Sequence, residues 1–177
     1  KQREYEVQRI TIKDEKKVTP PKSFYKRIQS EGVLIKKAKA IVIDKSYYKS
    51  GFIMPAKGII SGVYGSKRIF NGIPKRPHYG IDIANKTWTK IIAPCDGVVV
   101  LAHHDLFYSG GTIIISHGRG LSSSLLHLSE ILVKEGDFIE KGQIIAKMGK
   151  TGRATGPHLD WRMELRGIRI DPQILIK

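Results

Sequence analysis

The stretch Ile91-Ile92-Ala93-Pro94-Cys95-Asp96-Gly97-Val98-Val99-Val100-Leu101 leads, after a polar interval, to Gly110-Gly111-Thr112-Ile113-Ile114-Ile115-Ser116. Two runs of β-branched residues are separated by Asp-Gly and Gly-Gly, the chemistry of tight turns between strands. The texture extends both ways from there. Ile59 to Tyr64 ends at Gly65, Leu121 to Leu128 follows the second run, and Glu135-Gly136-Asp137 precedes Ile144 to Met148. Short strands at short spacing predict a mainly β, antiparallel domain from residue 51 to 177. No amphipathic helical pattern is expected after residue 57.

Residues 1–50 read differently and are expected to form an N-terminal arm or partial flanking domain. Tyr5 to Ile12 alternates in the period of a half-exposed strand, and Thr19-Pro20-Pro21 breaks the chain. Phe24 and Ile28, with Val33 and Ile35, fall near helical spacing, which predicts a short helix ended at Gly32. Ala40 to Ile43 reads as a strand. Of the 31 basic and 16 acidic residues, 15 and 6 lie in residues 1–57. The net charge of +15 fits an anionic partner, whether nucleic acid, lipid head groups or an acidic cell-wall polymer, or simply a soluble basic surface. No nucleic-acid recognition signature accompanies the aromatics, so nucleic acid is not expected as a partner. No apolar run reaches the ~18 residues of a membrane span, and the single Cys95 excludes an internal disulfide. A chain starting at Lys1 rather than Met is expected to be a fragment, with any signal or anchor upstream.

Histidines and carboxylates narrow the chemistry. His78 and Asp82 stand four apart in His78-Tyr79-Gly80-Ile81-Asp82, just before a strand. His158 and Asp160 stand at i and i+2, one face of a strand. His127 interrupts an apolar strand in Leu125-Leu126-His127-Leu128. Imidazole with carboxylate is the donor set of a catalytic zinc site, though each pair alone also fits a hydrogen-bonded core or turn residue. His103, His104 and His117 are expected in loops or on the surface. Cys95 is expected as a turn or core residue, and Trp161 and Tyr79 as groove-lining or packed side chains.

Taken in order, Arg76-Pro77-His78-Tyr79-Gly80-Ile81-Asp82, Ala93-Pro94-Cys95-Asp96-Gly97, Leu126-His127-Leu128-Ser129 and Thr155-Gly156-Pro157-His158-Leu159-Asp160 closely resemble the lysostaphin/LytM-type zinc metallopeptidases over about residues 51–172. The resemblance implies a lysostaphin-like β-fold and an endopeptidase that hydrolyses peptide cross-links of peptidoglycan, in the periplasm or cell envelope. It implies Zn²⁺ held by His78, Asp82 and Asp160, with His127 and His158 as catalytic residues and peptidoglycan stem peptides as substrate. One departure stands out: Asp160 occupies the place of the family's second histidine in H-x-H. A one-His, two-Asp set still coordinates zinc, but leaves it less positive and hence a weaker Lewis acid. The alternative is a non-catalytic module of the same type that binds and activates another cell-wall hydrolase, which would make a regulatory protein its partner.

Overall fold

The computed structural model describes residues 4–176. Its N-terminal part contributes strand β1 (Val7–Ile10) and helix α1 (Tyr25–Lys39). Then come β2 (Ile59–Gly62), β3 (Lys67–Phe70), β4 (Ile73–Pro74), β5 (Ile81–Ala84) and β6 (Lys90–Ile92). The long strands are β7 (Gly97–Leu106), β8 (Gly110–Ser116) and β9 (Leu121–Ile131). Finally β10 (Phe138–Ile139), β11 (Ile144–Met148), β12 (His158–Leu165) and β13 (Ile168–Ile170) complete the chain.

Ten strands form one sheet with the path β10-β7-β8-β9-β12-β5-β2, to which β6, β11 and β13 attach. Every ladder in it is antiparallel. Ile81, Ile83, Ile113, Ile115, Leu125, Leu159 and Trp161 are fully buried in its core. Burial on both faces explains why β8 and β9 read as continuous apolar and small-residue runs. A second sheet has the order β1-β3-β4, with β1 parallel to β3. It carries Arg68 and Phe70 to the edge of the large sheet, and Gln8 bridges the two through the carbonyl of Ser61.

Three sequence expectations change here. The helix does not stop at Gly32 but runs on to Lys39. Ala38, with Ile35, packs on Leu101, Leu106 and Ile114, and this burial outweighs the ~1 kcal/mol cost of one helical glycine. The segment Ala40 to Ile43 is not a strand: among the described residues it joins no ladder, its one long-range backbone bond being from Arg119 to the carbonyl of Ile43, and Ile41 and Val42 stay exposed. His117 is not on the surface. It is fully buried, with Nδ1 donating to the carbonyl of Asp96 and Nε2 accepting from Ser123 Oγ. Burial lowers its pKa to about 4, which keeps it neutral in that role. Ser123 Oγ also accepts from Trp161 Nε1, so Trp161 is a core residue that ties β12 to β9.

Candidate metal centre and cleft

Strands β5 and β12 run side by side, and their register places Asp82 directly opposite Asp160. His78 is fixed just ahead of β5: its backbone N–H donates to Ser66, and its carbonyl accepts from Gly65. One donor atom each from His78, Asp82 and Asp160 then lies within 4.8 Å of the others, and all three residues are buried. Both ring nitrogens of His78 and Oδ1 of Asp82 are buried without a hydrogen-bond partner, although Nε2 and Oδ1 are only 3.1 Å apart. Buried polar atoms are normally paired, and orphaned atoms of His78 and Asp82 beside the Asp160 carboxylate, one ligand atom from each residue, fit a cation. Gly80 makes the convergence possible. A Cβ there would meet the carbonyl oxygen of Trp161 at 2.5 Å and Asp160 Oδ1 at 2.9 Å.

Each carboxylate is backed by an arginine that the sequence reading did not single out. Asp160 accepts from Arg162 Nη2 at 2.6 Å and from Nε at 3.0 and 3.1 Å. Asp82 Oδ2 accepts from Arg68 Nη2 in a short ion pair. Burial would raise the Asp160 carboxyl, but Arg162 outweighs it and holds Asp160 below the usual carboxylate range. Burial likewise opposes ionisation of Asp82, and His78 and Arg68 overcome it. Carboxylate oxygens carry two lone pairs each, so both residues keep acceptor capacity beyond these pairs. Arg162 was legible in principle, since i and i+2 share a strand face. Arg68, 14 residues from its partner, left no local signal.

The two remaining histidines lie against each other, with ring centroids 4.7 Å apart. His127 sits at φ +67°, a left-handed conformation that costs a bulky residue about 1–2 kcal/mol. That kink breaks the strand alternation and turns the ring out of the apolar run. Its Nδ1 donates to the carbonyl of Thr151, and that of His158 to the carbonyl of Gly156. Nδ1 is thus engaged in each ring, and Nε2 of His158 lies 3.8 Å from Asp82 Oδ1. Burial, with His158 adding to it, lowers the His127 pKa to about 4.

All five residues expected from sequence are thus brought together. Two cavities, of about 320 and 480 Å³, adjoin them and share Arg68, Phe70, His127 and Arg153 as walls. Gln8, Arg9, Ile10 and Ile12 of the N-terminal segment line the second. His103 and His104 lie on β7 and line neither.

A mainly β scaffold with buried His and Asp donors beside paired histidines defines a metallopeptidase-like class. The model of peptidase family M23 matches residues 76–172, and the chain belongs to that family. The peptidoglycan DD-endopeptidase ShyA of Vibrio cholerae is 40% identical over 114 residues, which are 63% of this chain and 26% of ShyA. The DD-carboxypeptidase/endopeptidase Mpg of Neisseria meningitidis is 35% identical over 97 residues, 55% of this chain and 22% of Mpg. The chain thus spans about a quarter of the length of these relatives. Among solved structures, a Pseudomonas aeruginosa protein described as a peptidase M23 superposes with a TM-score of 0.76 and 35% identity, covering 88% of this chain and 63% of that one. Lysostaphin from Staphylococcus simulans superposes with a TM-score of 0.56 and 27% identity, covering 71% and 52%.

Proposed function

We propose that this chain is the catalytic portion of a zinc-dependent endopeptidase that hydrolyses peptide cross-links of bacterial peptidoglycan in the cell envelope. The observation that carries this reading is the cluster of buried donor atoms on His78, Asp82 and Asp160, those of His78 and Asp82 partly orphaned, beside the paired imidazoles of His127 and His158. His78, Asp82 and Asp160 would hold the ion. When bound, zinc supplies Lewis acidity, polarising a carbonyl and lowering the pKa of water.

The chain's own groups handle the protons. Carbonyls of Thr151 and Gly156 fix both imidazoles as Nδ1–H tautomers. One Nε2 takes a proton from the attacking water as the C–O bond forms. The resulting imidazolium returns that proton to the leaving amine nitrogen as the C–N bond breaks. The names of the relatives support a D,D cross-link as the bond attacked.

The test is digestion of purified cross-linked sacculi by the zinc-loaded chain, with products identified by mass spectrometry. Conversion of cross-linked dimers to monomers, lost in His158→Ala, is expected. No conversion, together with zinc binding that survives Asp160→Ala, would turn the reading to a non-catalytic module. The Arg162 pair that occupies Asp160 is the observation on that side.

A further inference from the structure

Arg153, in the loop between β11 and β12, lies on the wall that both cavities share. Its guanidinium carbon is 4.8 Å from the ring centre of Phe70 and 4.7 Å from that of Tyr108. One N–H, on Nη1, donates to the carbonyl of Lys17. Its backbone N–H donates to Tyr108, which fixes the loop beneath it. Among the described residues no carboxylate pairs with it, although Arg68 and Arg162 each have one and Arg27 has two. A rigidly held guanidinium with free N–H groups presents a fork that matches a carboxylate.

The surroundings reinforce this. The cavity of about 320 Å³ is also lined by Lys39, Arg68, Arg162 and Arg169. Lys39 is satisfied by Glu164, Arg68 by Asp82 and Arg162 by Asp160. Among the described residues Arg153 has no carboxylate partner, Arg169 lies over the Tyr79 ring, and a metal ion at the carboxylates would add positive charge. Burial makes the charged form of Arg153 costly, and Arg162 and Arg68 add to that cost while Tyr108 and Asp160 offset part of it, so a bound anion would relieve the rest. His127 lines the same cavity, so an anion held there adjoins the reacting bond.

We infer that this cavity is a carboxylate subsite, in which Arg153 grips a free carboxylate of the substrate peptide next to the scissile bond. The inference rests on the hydrolase reading for its substrate, and predicts that a peptide amidated at that carboxylate is a poor ligand.

The test measures binding by calorimetry for a stem peptide with a free carboxylate beside the cross-link position and for its carboxamide twin. Wild type is expected to bind the carboxylate form roughly 10- to 100-fold tighter, the range of a hydrogen bond to a charged group. In Arg153→Gln the ratio is expected to fall to about one. Arg153→Lys, which keeps a point charge without the fork, should fall between. Lys134→Gln removes the same unit of charge from an exposed position that lines neither cavity, and should keep the wild-type ratio. Equal affinity for both peptides in wild type overturns the subsite without any variant. So does an unchanged ratio in Arg153→Gln whose circular dichroism matches wild type, and so does failure to bind either peptide. Cleavage of both peptides at equal rates also sinks the subsite while leaving the hydrolase reading intact. An Arg153-dependent preference without any cleavage does the reverse.

Discussion

At the scale of single residues, the substitution that sets this chain apart is Asp160, and its consequence depends on Arg162. An added anionic ligand would by itself make a bound metal less positive. Arg162 returns a positive charge within 2.6 Å, so the expectation of a weaker Lewis acid does not follow from Asp160 alone. Removing the arginine leaves a buried carboxylate without its partner. Arg162→Leu is expected to lower the stability of the metal-free protein by about 2–3 kcal/mol in urea unfolding. That lies below the 3–5 kcal/mol of a fully buried pair, because the Arg162 side chain is 32% exposed and partly screened. An unchanged midpoint would mean that the pair contributes nothing. Buried histidines set a pH dependence as well. His117 and His127 have folded pKa values of about 4 against about 6.5 unfolded, so between those limits the unfolded chain binds more protons. Stability of the metal-free protein should therefore fall as pH drops from 6.5 towards 4, by up to about 1.4 kcal/mol per pH unit for each histidine. Denaturant midpoints across that range check this, and a flat profile would contradict it.

Elements place these residues by close approach. The contact of β5 with β12 has room for no side chain at position 80, where the nearest obstacle is backbone. Gly80→Ala is expected to cost about 1–3 kcal/mol through overpacking, and to weaken metal binding by displacing Asp160. Gly32 is the opposite case. It sits in the exposed middle of α1, at no unusual backbone angle, and a Cβ there meets nothing within 4 Å. Gly32→Ala should therefore stabilise the protein by about 0.5–1 kcal/mol, read as a rise in the thermal midpoint. A loss of stability would show that the helix needs the glycine for a reason its surroundings do not reveal.

For the molecule as a whole, α1 packs on β7 and β8 through Ala38, and β1 pairs with β3. Residues of β1 and β3 wall the second cavity, and Arg68 reaches from β3 to Asp82. No helix among the described residues is long and apolar enough to cross a membrane. A ligand that binds only the folded state raises global stability, by about 2.7 kcal/mol at a hundred times its Kd. Zinc is accordingly expected to raise the thermal midpoint of the whole domain, and a chelator to reverse it. His78→Ala and Asp160→Ala should each abolish the shift, since two remaining donors hold zinc poorly. A full shift in Asp160→Ala would remove Asp160 from the ligand set.

The sequence by itself determined the β architecture, because turn chemistry and β-branched runs are local properties. It also singled out His78, Asp82, His127, His158 and Asp160, because histidines and carboxylates in apolar surroundings stand out by type and spacing. Local reading failed where distant packing took over. The helix outlasts Gly32 because Ala38 finds β7 and β8, and Ile41 and Val42 form no strand because no strand among the described residues lies alongside them. His117 looked like a loop residue, yet Asp96 and Ser123 satisfy both its nitrogens inside the core. Only the tertiary structure decided that Asp82 faces Asp160 across a ladder, that a left-handed backbone aims His127 into the cleft, and that Arg68 and Arg162 hold the two carboxylates. The reason is physical: register, a strained dihedral and an ion pair between strands exist only once separate segments lie against one another.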